Sequence, residues 1–359
     1  MSPNDPSSQS DSAPVVPPSQ NESVTQATLA NENSSLQKME PELLVAANAS
    51  QVIAEVAPTS ETQSAVKVSK PRIWSVVLTM VLASLVYVAI SVIVVAIGIV
   101  ILNISGKNVS MNSSEEMMES LITLFPSPVL FLIVPPHLGI LGVVILAAVL
   151  SPSPFTQRLA LTRPNWPWWV TIATVLVAPF FSFLWSIVIN SMFDSNAYME
   201  QMSEMFQTSS EGMGFAITLL CIAVMPSFSE EWLFRGYIQS RLSQRWRPWL
   251  AVLVSSILFA GFHMEPLHVI AVLPLGIWLG FVSYRCASII PAMLAHAYNN
   301  TLSLISVVYE QSDALDTSTS SLTNQLIIYL GMPSLLIFIA YLVVTSKQKP
   351  AIDINTPTL

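Results

Sequence analysis

The stretch Ser229-Glu230-Glu231-Trp232-Leu233-Phe234-Arg235 puts three ionisable side chains within six residues of a long apolar run. A charged group at membrane depth costs about 2.5–3.5 kcal/mol on insertion scales, so such a cluster reads first as a working site. Helix geometry divides it. Glu231 and Arg235 stand four apart and share a face on which they can pair. Glu230 is turned about 100° away and has no local partner, which leaves it free to face a cavity. Two other apolar runs carry polar groups. Phe259-Ala260-Gly261-Phe262-His263 closes one, and His296-Ala297-Tyr298-Asn299-Asn300 lies in the other, with His296 and Asn300 one turn apart on one face.

The chemistry open to these groups is hydrolysis. A buried carboxylate can take a proton from water, and a histidine beside it can hold that water or share the proton. A second histidine and an asparagine amide are donors suited to the oxyanion formed on a peptide carbonyl, each worth on the order of 3 kcal/mol. The same Glu230, His263 and His296 are also a ligand set for zinc, with water in the open position. Residue types alone leave both readings standing. The bland reading, a buried salt-bridge network that pins helices together, suits Glu231 and Arg235 better than Glu230.

The elements that must position these groups are membrane spans. Hydrophobic residues make up 52% of the 359-residue chain and charged residues 10%, far below the charge of a soluble domain. A span needs about 20 apolar residues, and eight runs are expected, at about 73–103, 128–150, 167–192, 213–238, 249–264, 267–284, 287–308 and 324–346. The fifth is short, as suits a helix ending inside the protein. Glu230 lies 11 residues before Arg241 and His296 lies 11 after Arg285, each about 16 Å from its basic anchor at about 1.5 Å per residue. His263 lies 15 residues beyond Pro248, about 22 Å by the same rise. Three helices thus deliver Glu, His and His to the middle of the bilayer.

Loop charges set the expected orientation. Lys67, Lys70 and Arg72, then Arg158 and Arg163, Arg241, Arg245 and Arg247, Arg285, and Lys347 and Lys349 fall on one side. The alternate loops are acidic, with Glu115, Glu116 and Glu119, then Asp194, Glu200, Glu204 and Glu211, then Glu310, Asp313 and Asp316. The positive-inside rule then puts both termini in the cytoplasm. Residues 1–70 are rich in Ser, Pro, Gln, Asn and Ala, without aromatics, and read as a disordered tail. No basic stripe interleaved with aromatics exists, which argues against nucleic acid as a partner. Cys221 and Cys286 read as small buried hydrophobes. His137, in Pro135-Pro136-His137, is expected to donate to a carbonyl freed by the prolines. Glu265 and His268 flank Pro266 and are expected to be solvated turn residues.

Glu230-Glu231-x-x-x-Arg235, Phe259-x-x-x-His263 and His296-x-x-x-Asn300, in that order, resemble the three motifs of the CAAX-protease and bacteriocin-processing (CPBP, or Abi) family. That family includes the Ras-converting CAAX prenyl endopeptidases of eukaryotes. The resemblance covers about residues 213–308, with flanking matches at Phe234-Arg235-Gly236 and Ser255-Ser256-Ile257-Leu258-Phe259-Ala260. It implies an all-α polytopic fold of about eight helices and an intramembrane endopeptidase. It implies Glu230 as the water-activating base, His263 as its partner, and His296 with Asn300 as the oxyanion-stabilising pair. Glu231, Arg235 and Phe259 would support them. Other intramembrane protease signatures are missing: there is no His-Glu-x-x-His, no Gly-x-Gly-Asp and no Gly-x-Ser-Gly.

The resulting organisation is a cytoplasmic tail (1–70), N-terminal transmembrane helices (71–210), a CPBP/Abi catalytic core (211–308), and a last helix with a short cytoplasmic tail (309–359). The expected partners are the lipid bilayer and a membrane-associated protein or peptide substrate. Neither a signal peptide nor an organellar transit peptide is expected, and a bacterial inner membrane is the expected location. The rival to catalysis is a non-catalytic scaffold or bacteriocin-immunity protein using the same cavity. A proton-coupled transporter fits less well, because no internal repeat is visible.

Overall fold

The computed structural model describes residues 73–106, 113–125, 127–212, 214–310 and 318–346. Within them every regular element is helical. The N-terminal tail lies outside the described residues, as do Lys67, Lys70, Arg72, Lys347 and Lys349.

Among the described residues, six helices are long and apolar enough to cross a membrane. They are α1 (Ile73–Ile104), α2 (Pro128–Val149), α3 (Trp168–Met192), α5 (Phe215–Ser243), α7 (Pro266–Cys286) and the Leu322–Ser346 part of α9 (Ser318–Ser346). Between α3 and α5 lies α4 (Ala197–Gly212), and two more helices complete the set, α6 (Pro248–Gly261) and α8 (Ile290–Glu310). The eight expected spans are thus all helices, but two fall outside the spanning class. α6 is short, 14 residues, and α8 carries His296, Asn299 and Asn300 in place of apolar side chains. α4 replaces what the sequence suggested was a loop. Its Met205 and Ser209 are buried, and the Ser209 hydroxyl accepts the Val129 N–H at 3.0 Å.

α1 contains no charged residue and turns one stripe (Val76, Thr79, Ala83, Val94, Gly98, Leu102) inward. It meets α2 at Gly139, where an added Cβ would stand 2.5 Å from Ile90 Cδ1, so a side chain there would have to push the end of Ile90 aside. Pro135 and Pro136 interrupt α2 at Ile133, because neither can donate a helical N–H.

α5 is the central element. Its course alternates between α and π geometry: π at Leu220–Val224, α at Met225–Glu231, and π at Trp232–Gln239. π turns inside α-helices are frequent at functional sites. Here they bracket the segment bearing both acids. Pro226 has no N–H to give to the Ile222 carbonyl four residues back. Beyond the acids, polar contacts clamp α5 to its neighbours. The Ser255 hydroxyl donates to Phe234 O at 2.8 Å, and the Gln239 amide donates to Gly280 O at 2.9 Å.

Candidate active site

Glu230 is 6% exposed and is surrounded by the histidines of this protein, of which the whole chain has four. His137 Nε2 lies 3.2 Å from Glu230 Oε1, and His296 Nε2 lies 3.9 Å from Oε2. The His263 and His268 imidazoles are within electrostatic reach of the same carboxylate. The four come from α2, α8, the α6–α7 turn and α7.

His137 was legible only in part. Its Nδ1 does meet a backbone carbonyl, Ile133 O at 2.8 Å, but not one freed by the prolines, since Ile133 O also accepts the His137 N–H at 3.4 Å. The other nitrogen points at Glu230, which the sequence did not suggest. Since a carbonyl only accepts, Nδ1 carries a proton. A neutral ring then has a bare lone pair at Nε2, and a lone pair cannot bond a carboxylate. One more proton therefore sits between Nε2 and Oε1, on the imidazole or on the acid.

Glu231 is fully buried and serves two partners. Its Oε1 accepts Arg235 Nη1 at 2.7 Å and His296 Nδ1 at 3.0 Å. Arg235 in turn donates Nη2 to Gly276 O at 2.9 Å and lies over the Phe259 ring at 4.3 Å. A Cβ on Gly276 would stand 2.9 Å from Phe259 Cδ1, so the missing side chain makes room for this stack. The expected Glu231–Arg235 pair is present, and Glu231 also orients an imidazole that faces Glu230.

Phe259 is the apolar wall of the site. Its ring contacts those of His263 and His296 edge-on, with centroids 5.3 and 5.7 Å apart, besides the Arg235 guanidinium. His263 is not on α6, which ends at Gly261, but in the turn that follows. Its Nδ1 bonds Phe259 O at 3.1 Å, which leaves Nε2 as a lone pair on the neutral ring. The next residue, Met264, has φ +61°, a left-handed conformation uncommon outside glycine and often found at functional sites.

His268 and Glu265 are not simply solvated turn residues. His268 lies in the first turn of α7 with its ring centroid 4.5 Å from that of His263, and its Nδ1 is buried without a partner. Glu265 caps α7 by accepting the His268 N–H at 2.5 Å and also accepts the Asn196 amide at 2.8 Å. Burial tends to raise the Glu265 carboxyl, but the backbone N–H groups of His268 and Leu267 and the Asn196 amide hold it below the usual carboxylate range. Glu265 also lines a cavity of about 470 Å³ with Met192, Asp194, Asn196 and Ile270, beside the site and not at Glu230 itself.

Asn300 uses its amide elsewhere. Nδ2 donates to Ile222 O, four residues before Pro226, over a long 3.4 Å. Its neighbour Asn299, for which no role is expected, is buried with an unpartnered Oδ1.

The zinc alternative calls on Glu230, His263 and His296. Among the described residues no three His, Cys, Asp or Glu side chains are grouped as a metal site. The Nδ1 bonds of His263 to Phe259 O and of His296 to Glu231 leave Nε2 as the other nitrogen of each ring, an arrangement that metal-ligating imidazoles also use.

No curated protein and no solved structure matches the chain. One family model does, over residues 212–302, which hold Glu230, Glu231, Arg235, Phe259, His263, His296 and Asn300. By that match, and in line with the motifs in its sequence, the chain carries a type II CAAX prenyl endopeptidase Rce1-like domain.

Proposed function

We propose that this protein is an intramembrane endopeptidase that hydrolyses a peptide bond in a membrane-associated protein or peptide, with water activated at Glu230. The observation that carries the reading is a buried carboxylate held between two imidazoles, His137 and His296, inside the segment matched by a peptidase family.

When the proton shared with His137 resides on the imidazole, Glu230 is the carboxylate needed to deprotonate water. The lone pair of His263 Nε2 accepts a hydrogen bond from that water and helps to orient it. The water oxygen attacks the carbonyl carbon and Glu230 takes its proton. The developing oxyanion needs donors. His296 supplies one as an imidazolium, with Nδ1–H on Glu231 and Nε2–H on the oxyanion, and the Glu231 carboxylate stabilises that charge. The Asn300 amide is the second donor once it leaves Ile222 O. Collapse of the tetrahedral intermediate breaks the C–N bond, and the departing amine receives the proton from Glu230.

Both termini are assigned to the cytoplasmic face. Arg158, Arg163, Arg241, Arg245, Arg247 and Arg285 support this, because they flank one set of helix ends.

The test compares wild type with Glu230→Gln, expressed at matched membrane levels in a host lacking its own copy, by mass spectrometry of new peptide N- and C-termini. Termini present with wild type and absent with the variant would establish proteolysis and identify the substrate. Identical profiles, with both forms rescuing the same phenotype, would replace catalysis with the scaffold or immunity reading.

A further inference from the structure

Arg158 and Arg241 are each 7% exposed, yet no carboxylate among the described residues pairs with either. Their contacts are hydroxyls. Arg158 Nη2 donates to Ser153 Oγ at 2.9 Å, and Arg241 donates to Ser75 Oγ and, over 3.5 Å, to Ser151 Oγ. The Tyr237 ring lies 4.1 Å beneath the Arg241 guanidinium. Both Nε–H groups are buried and unpartnered, and the two guanidiniums are within electrostatic reach of each other. Arg235, by contrast, is buried against Glu231.

Two like charges withdrawn from water within electrostatic reach of one another are unfavourable without an anion nearby. Guanidinium forks match phosphate oxygens in geometry as well as charge, and the serine hydroxyls add donors that a phosphate can use. The location narrows the source. Ser75 opens α1, Ser151 and Ser153 follow α2, and Arg241 closes α5, so the group sits at one end of the bundle. Trp74, Trp168 and Trp249, which start α1, α3 and α6 at that same end, are 66%, 74% and 61% exposed. Exposed tryptophans belong at headgroup level.

We infer that Arg158 and Arg241 form a phosphate-binding site, ringed by Ser75, Ser151 and Ser153, whose ligand is the headgroup phosphate of an anionic phospholipid. The site is separate from the Glu230 cluster and does not depend on the hydrolase reading.

The experiment melts the full-length protein in neutral detergent with added phosphatidylglycerol, phosphatidylcholine or inorganic phosphate. Phosphatidylglycerol is expected to raise Tm by about 2–4 °C and phosphatidylcholine to leave it unchanged. Arg158→Gln and Arg241→Gln should lose the shift, and Glu230→Gln should keep it. Should an arginine variant not survive extraction, Ser153→Ala takes its place and should show a smaller shift than wild type. A shift with inorganic phosphate but not with phosphatidylglycerol keeps the site and overturns the lipid as its source. Equal shifts with both lipids, no shift with any anion, or a shift that persists in the arginine variants overturns the site.

Discussion

α1 and α5 have similar lengths, 32 and 29 residues, but differ in where their surfaces go. Along an apolar stretch of each, only 17% of α1 is buried inside the protein, against 61% of α5. α1 shows Val77, Leu85 and Val92 to the lipid and meets the bundle along one stripe. α5 buries two acids and an arginine. Lipid tails are as apolar as leucine, so hydrophobicity drives α1 into the membrane without pressing it against its neighbours. α5 is instead held by directed contacts: Arg235 on Gly276, Gln239 on Gly280, Ser255 on Phe234. The outer helix is specified by composition, and the inner one by individual hydrogen bonds that single substitutions can remove.

That contrast can be broken at graded points. Glu230→Gln is expected to lower peptidase turnover by about 10²–10⁴-fold, the range of general acid–base catalysis, with little change in thermal unfolding. Turnover within a few fold of wild type would remove Glu230 from the mechanism. Arg235→Ala should destabilise by about 3–5 kcal/mol, because it strands the Glu231 carboxylate without its guanidinium. A melting curve like that of wild type would mean that the pair carries no structural weight. His137→Gln is expected to lower turnover by about 10²-fold through misplacement of the carboxylate, and to alter the acidic limb of the pH–rate profile. A merely structural role would leave that limb in place. Leu85→Ala, on the lipid face of α1, should change stability by less than about 0.5 kcal/mol. A larger loss would show that α1 is held by more than its inward stripe.

The intramembrane polar residues were the most legible part of this molecule, because hydrocarbon makes them expensive and each one therefore needs a reason to be there. Glu230, Glu231 and Arg235 stood out on that ground, and the i,i+4 relation sufficed to pair the last two. The His137–Glu230 contact was not legible. It joins residues 93 positions apart, and the prolines beside His137 already offered a sufficient local explanation. His268 was misread for a similar reason: Pro266 suggests a turn, whereas proline at the first helical position also starts a helix, and it does so here. Helix ends were the other weak point. His263 follows an apolar run closely enough to pass for its last residue, yet the chain leaves helical geometry at Gly261. In α8 the residues that attract a chemical reading are the ones that dilute its apolar character, so the same side chains reveal the site and obscure the span.

The hydrogen bond from α2 to Glu230 also limits how far this domain can be treated as a module. The family match begins at residue 212, and His137 lies 75 residues upstream of it (212 − 137). A graft of residues 212–302 onto another membrane scaffold would carry the acid, both flanking motifs and the buried arginine, and leave behind the imidazole with which that acid shares a proton. Such a chimaera inherits the signature without the proton inventory of the original. Truncations of the N-terminal helices deserve the same caution, since they edit the candidate site from outside the boundaries of the matched segment.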